Sequence, residues 1–219
     1  KELNLKKIKI DDFFNYFHLL KLEKLRLNNY RLKLIKFLSG KKEFKKKIFN
    51  AFSLELRRIL GEDIAVQKSL NVVIHQPNNL DISPIHRDGP ENSPYEIVLW
   101  LPLVDCFKTK SIYLLDKKNT EKNLRLLDSN KKSDSQTLKN RLVKLGKLPN
   151  IKFGQAVVFW SCLLHSVPEN VENETRWTFN LRLKNAFTPY GKKGFLDYFE
   201  ILRESELTTL GLDFEKKNY

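Results

Sequence analysis

The spacing of apolar residues changes character once along this chain, just after Gly61, and that change restricts what it can fold into. Before it, Phe44, Ile48, Phe52, Leu56 and Ile59 recur at intervals of four or three, which lines one helical face, and Gly61 suits a C-terminal stop. The pattern predicts helices over 11–38 and 41–60, the first apolar nearly all round and so expected to be packed against other elements. From Ile64 onward the apolar runs are short and β-rich, at roughly 64–75, 96–104, 111–115, 156–160 and 176–184. Turn material such as Pro77-Asn78-Asn79 and Pro168-Glu169-Asn170 separates them. Helices first and many short strands afterwards point to an α+β layout with a β-sandwich or barrel core. Glu96–Val104 is almost continuously apolar, as a central strand is, with Pro102 near its end. Residues 117–149 are polar, with a short amphipathic piece near Leu138–Leu145, and read as an insertion or lid between strands.

At 219 residues with no internal repeat, the chain is expected to form a single domain. Its parts would be a helical region over 1–62, a β core over 63–190 and a loosely helical tail over 191–219. No apolar run is long enough to span a membrane, and no signal-peptide pattern opens the chain. Cys106 and Cys162 form no disulfide framework and fit a reducing cytoplasm. The chain opens on Lys1 and holds no methionine, so a native start upstream is expected. Its formal charge of +14 raises the question of nucleic acid. The excess is local, however: residues 1–47 carry fifteen Lys/Arg against five Asp/Glu, and the last 29 residues carry five against six. Because that basic stretch is interleaved with Leu, Ile and Phe, it is read as a solvated helix face rather than a nucleic-acid surface.

Histidine is scarce, at four in the chain, so each position carries weight. His86 and Asp88 stand two apart, and alternate residues of an extended segment point the same way, so an imidazole and a carboxylate can face one ion. His165 follows the strand Ala156–Trp160. Two histidines and a carboxylate on one face of an octahedron leave positions open for a keto acid and O₂, the arrangement of non-haem Fe(II) oxygenases. Arg176 lies eleven residues beyond His165, with Thr178 two further on. A guanidinium fork beside a hydroxyl suits a distal carboxylate. Arg182 shares the alternating face and is the rival for that clamp, whereas His18 and His75 read as structural or exposed.

The order His86-x-Asp88, Gly154-Gln-Ala-Val-Val-Phe-Trp160, His165-Ser166, Asn170 and Arg176-x-Thr178 resembles the phytanoyl-CoA-dioxygenase-like branch of the 2-oxoglutarate oxygenases. Glu174–Lys184 is similar to members found in bacterial sugar and surface-carbohydrate biosynthesis clusters. The resemblance covers roughly residues 64–186 and implies a double-stranded β-helix, jelly-roll or cupin-like, with the N-terminal helices packed outside. It implies that His86, Asp88 and His165 hold Fe(II), that Arg176 and Thr178 clamp 2-oxoglutarate, and that Trp100 walls the cosubstrate pocket. The expected reaction is hydroxylation by O₂ of a small polar substrate such as a sugar or nucleotide sugar. Halogenating relatives carry a small residue in place of the carboxylate, and Asp88 argues against that chemistry.

Two rival classes remain at the level of sequence: a metal-dependent, cupin-like isomerase or hydrolase, and a non-enzymatic basic module binding nucleic acid through residues 1–47. Other motifs fall away. His86-Arg87-Asp88 spells the kinase catalytic triplet, but Asn92 comes one residue too early and no Gly-rich loop or Asp-Phe-Gly accompanies it. Cys162 has no partner pattern that would make it a nucleophile.

Overall fold

The computed structural model describes residues 9–78, 83–88, 92–129 and 131–218. The expected first helix is two, α1 (Ile10–Asn15) and α2 (Lys24–Ser39), joined by a 3₁₀ turn at Phe17–Leu20. Lys21 takes up left-handed backbone (φ 48°, ψ 41°) and closes the turn, so no continuous helix can pass through it. The second expected helix breaks at Phe52 into α3 (Lys42–Ala51) and α4 (Ser53–Leu60). Gly61 ends α4 at φ 82°, a backbone state that favours glycine. Ile48 and Leu56 enter the core as the spacing predicts, but Ile59 faces solvent and Leu60 is buried in its place.

The strands are β1 (Ile64–Gln67), β2 (Asn71–His75), β3 (Glu96–Pro102), β4 (Tyr113–Leu114), β5 (Val157–Trp160), β6 (His165–Ser166), β7 (Arg176–Asn185) and β8 (Phe199–Arg203). Six form one antiparallel sheet in the order β5-β3-β7-β1-β8, with β2 also paired to β7. Opposite it, β4 and β6 pair, and single bridges from Leu114 to Lys147 and from His165 to His86 widen that small ladder. The predicted 64–75 strand is thus two strands, turned at Lys68–Leu70.

Strand β7 organises the molecule because its side chains alternate between two environments. Trp177, Phe179, Leu181 and Leu183 join Ile97, Leu99, Val66 and Val72 in the main core, against Phe17, Ile48, Phe49 and Leu56 of the helical region. The N-terminal helices therefore cover the outer face of the large sheet. Helix α2 departs from the expectation of packing all round. Leu27, Leu34, Ile35 and Leu38 meet the core, whereas Leu25, Tyr30, Leu32 and Phe37 are exposed. A helix lying on one side of a sheet has only one face to bury, however apolar the others are.

Residues 117–149 are more ordered than the lid reading suggests. They form α5 (Lys117–Leu127), capped by Asp116 through the Asn119 amide, and α6 (Lys132–Leu145). Leu138 and Leu142 of α6 pack with Leu115 and Leu164 in a separate small core. The tail adds β8, which pairs with β1 and was not expected from sequence, and then α7 (Glu206–Asn218). Among the described residues, no helix is long and apolar enough to cross a membrane.

Candidate metal centre and its cavity

The two imidazoles are brought together by backbone pairing. His86 and His165 form a reciprocal bridge, His86 N to His165 O at 3.0 Å and His165 N to His86 O at 2.9 Å. The Asp88 amide donates to Ser161 O at 2.9 Å, which fixes the carboxylate on the same side. One ligand atom from each of His86, Asp88 and His165 lies within 4.8 Å of the others. Each ring is also oriented. The Nδ1–H of His86 donates to Pro84 O at 2.7 Å, and that of His165 donates to Leu163 O at 2.8 Å. Both Nε2 lone pairs are left to face inward, and His86 Nε2 stands 3.7 Å from Asp88 Oδ1. Metal-bound histidines are held in this way, with the second ring nitrogen anchored on a carbonyl. Burial, and then the neighbouring His86 ring, push the His165 pKa below its ordinary value, which favours the neutral, metal-binding form. The donor set therefore fits a divalent transition metal such as iron.

Beside this centre lies a cavity of about 430 Å³ whose wall is the inner face of β7. Arg176, Thr178, Asn180 and Arg182 line it, together with Trp100 and His75. Each sequence-predicted site residue thus faces one space. His75 is buried on that wall, and His18 bonds Thr175 Oγ1 at 2.9 Å.

Arg176 is 1% exposed, and among the described residues no carboxylate pairs with it. One terminal nitrogen donates to Ser111 O at 2.5 Å, and its guanidinium carbon sits 5.9 Å from the centre of the Trp100 ring. Burial alone pushes its pKa down, to about 10. Its Nε and the Thr178 hydroxyl are both buried without a hydrogen-bond partner. A buried cation with idle donors beside an idle hydroxyl is poorly stabilised by protein alone, and an incoming carboxylate would satisfy both.

Arg182 does something else. Its Nη2 meets Asp88 Oδ1 at 3.0 Å, while Nη1 donates to Tyr198 Oη at 2.9 Å. Tyr198 in turn donates to Gln67 Oε1 at 3.2 Å. Burial opposes the charge on Arg182, but Asp88 and Tyr198 outweigh it and raise its pKa. The rival for the clamp is therefore a support for the carboxylate. Its place on the alternating face was legible; its partner, 94 positions earlier in the chain, was not.

No protein-family model matches the sequence, and no curated protein matches it. Solved structures do match in shape. The non-haem monooxygenase ThoJ, determined as a nickel complex, superposes with a TM-score of 0.50 at 15% identity, over 70% of this chain and 56% of ThoJ. The epimerase SnoN, determined with Fe3+, alpha ketoglutarate and nogalamycin RO, gives a TM-score of 0.50 at 14% identity, over 69% of this chain and 62% of SnoN. The chain shares the fold of these non-haem enzymes. It spans 56% of ThoJ and 62% of SnoN.

Proposed function

We propose that this chain is an Fe(II)- and 2-oxoglutarate-dependent oxygenase, built on a double-stranded β-helix, that hydroxylates a small polar metabolite of the sugar or nucleotide-sugar kind. The observation that carries the reading is the pairing, in one cavity, of the His86, Asp88 and His165 cluster with a buried guanidinium that, among the described residues, has no carboxylate of its own. A metal site serving hydrolysis or isomerisation would not need a guanidinium placed for a keto acid's far carboxylate.

His86, Asp88 and His165 would hold the iron, their Nε2 and carboxylate atoms already facing one point. Arg176 and Thr178 would take the far carboxylate of 2-oxoglutarate, with Trp100 as the wall beside it. When bound, iron and keto acid would supply the oxidant, 2-oxoglutarate being decarboxylated to succinate as O₂ is reduced. The protein's own work is to hold these groups in register. SnoN is an epimerase by its description, and product analysis separates that outcome from hydroxylation.

The test is anaerobic addition of Fe(II) and 2-oxoglutarate, watching for the weak visible charge-transfer band of a chelated keto acid. The band is expected in the parent protein and lost in Asp88→Ala and Arg176→Ala. A parent that shows no band would sink the proposal.

A further inference from the structure

The cavity does not end at the metal and the clamp. It runs sideways beneath β7 to the edge strand β2 and the first half of α2, where Leu27, Asn28 and Arg31 complete its wall. Arg31 is held in place: Nη1 donates to Val72 O at 3.2 Å, and Nε and Nη2 donate to Asn28 Oδ1 at 3.2 and 2.9 Å. One N–H on each terminal nitrogen remains uncommitted, so the fork is preset for an oxyanion. Among the described residues Arg31 has no ion-pair partner, and Asp88 is the sole acidic side chain on the cavity wall.

The charges then leave a remainder. With the site loaded as proposed above, the metal dication, Asp88, Arg176 and the keto-acid dianion cancel. Arg182 and Arg31 are left, with Lys24 as a further cation on the same wall, and such a positive field draws anions. Asn71 and Asn180 line the same cavity, and their neutral amides suit hydroxyl groups. We propose that the substrate is a phosphate ester of a hydroxyl-rich small molecule, and that Arg31 on α2 receives its phosphate while the carbon skeleton lies toward His86 and His165. A phosphate monoester carries a charge of about −1.5 to −2 at neutral pH, enough to balance both guanidinium groups. A neutral sugar would leave both uncancelled. This inference rests on the oxygenase reading, which supplies the other charges.

The experiment uses the chain loaded anaerobically with Fe(II) and 2-oxoglutarate, the visible band serving as a check on loading. Glucose, glucose 1-phosphate, UDP-glucose and inorganic phosphate are titrated calorimetrically into the parent, Arg31→Gln and Lys33→Gln. Lys33 is an exposed cation on the same helix, and its loss controls for general charge. At least one phosphate-bearing probe is expected to bind more tightly than glucose, and Arg31→Gln to weaken that binding roughly tenfold or more while Lys33→Gln leaves it unchanged. Tighter binding of UDP-glucose than of glucose 1-phosphate would assign the phosphate to a nucleotide, and the reverse to a sugar phosphate. A normal band with no preference for phosphate, or a preference indifferent to Arg31→Gln, would overturn the phosphate site alone. No band in the parent overturns the oxygenase reading instead.

Discussion

Replacing Arg176 by methionine should weaken cosubstrate binding and strengthen the empty fold, two effects of opposite sign. The guanidinium is fully enclosed, and burial has pushed its pKa from 12.5 to about 10. At about 1.4 kcal/mol per pH unit, keeping the charge there costs the folded state about 3 kcal/mol at neutral pH. Because the folded state binds this proton less tightly than the unfolded chain does, the cost is complete at pH 7–8 and fades only as pH climbs past about 10. The hydrogen bond to Ser111 O offsets part of it, about 1.5–3 kcal/mol for a charged donor. Arg176→Met should therefore stabilise the metal-free protein by about 1 kcal/mol, which is about 2–4 °C in Tm for a chain of this length. The loaded protein behaves in the opposite way. At a hundred times its Kd, 2-oxoglutarate should stabilise the parent by about 2.7 kcal/mol. Loss of the charged fork should raise that Kd about thirtyfold or more and remove most of the shift. Calorimetric melting with Fe(II) present, with and without 2-oxoglutarate, together with the metal-free melts, reads both effects. A variant that melts below the parent when empty, yet keeps the cosubstrate-dependent shift, would show Arg176 to be a structural strut and refute the clamp.

Arg182→Gln should lower metal affinity by about 10–100-fold through a loosened Asp88, with Arg182→Lys recovering part of it, as read by competition against a coloured chelator; unchanged affinity would remove Arg182 from the metal's support. Phe17→Ala takes away a buried ring 4.9 Å from Trp177 and should cost about 3–5 kcal/mol in urea unfolding, detaching the N-terminal segment from the sheet. Cys106 is buried with its thiol pushed up to about 11, which leaves about one part in a thousand as thiolate at pH 8. Iodoacetamide should therefore mark half-buried Cys162 alone until the protein is denatured, which peptide mass mapping will show.

The parts of this molecule that were legible in its sequence are those set by local pattern. Alternation along β7 placed Arg176, Thr178 and Arg182 on one face, and the two-residue step from His86 to Asp88 gave a shared direction. Gly61 marked a helix end because its backbone conformation is one that few other residues adopt. The failures have a common cause in long-range pairing. Strand β8 carries Glu200 and Arg203 among its apolar residues, and only its partner β1 makes it a strand. Helices α5 and α6 are built from polar sequence, and what orders them is the contact of Leu138 and Leu142 with Leu115 and Leu164. Leu25 and Phe37 were expected inside because apolar residues surround the whole of α2, yet only one side of that helix meets the sheet. Arg31 gave no signal at all, since nothing in its own segment shows that α2 closes one side of the cavity.

The alternation of β7 also acts as a safeguard during biosynthesis. Its odd-numbered residues from Trp177 to Leu183 belong to the main core, and its even-numbered ones from Arg176 to Arg182 belong to the cavity. A slip of one position against β3 would drive two arginines into the core and turn a tryptophan, a phenylalanine and two leucines toward the cavity. Such a chain could not remain compact. Molecules misaligned in this way would expose apolar surface and be prone to aggregation or proteolysis. A slip of a single position at this strand is therefore opposed by the strand's own alternation.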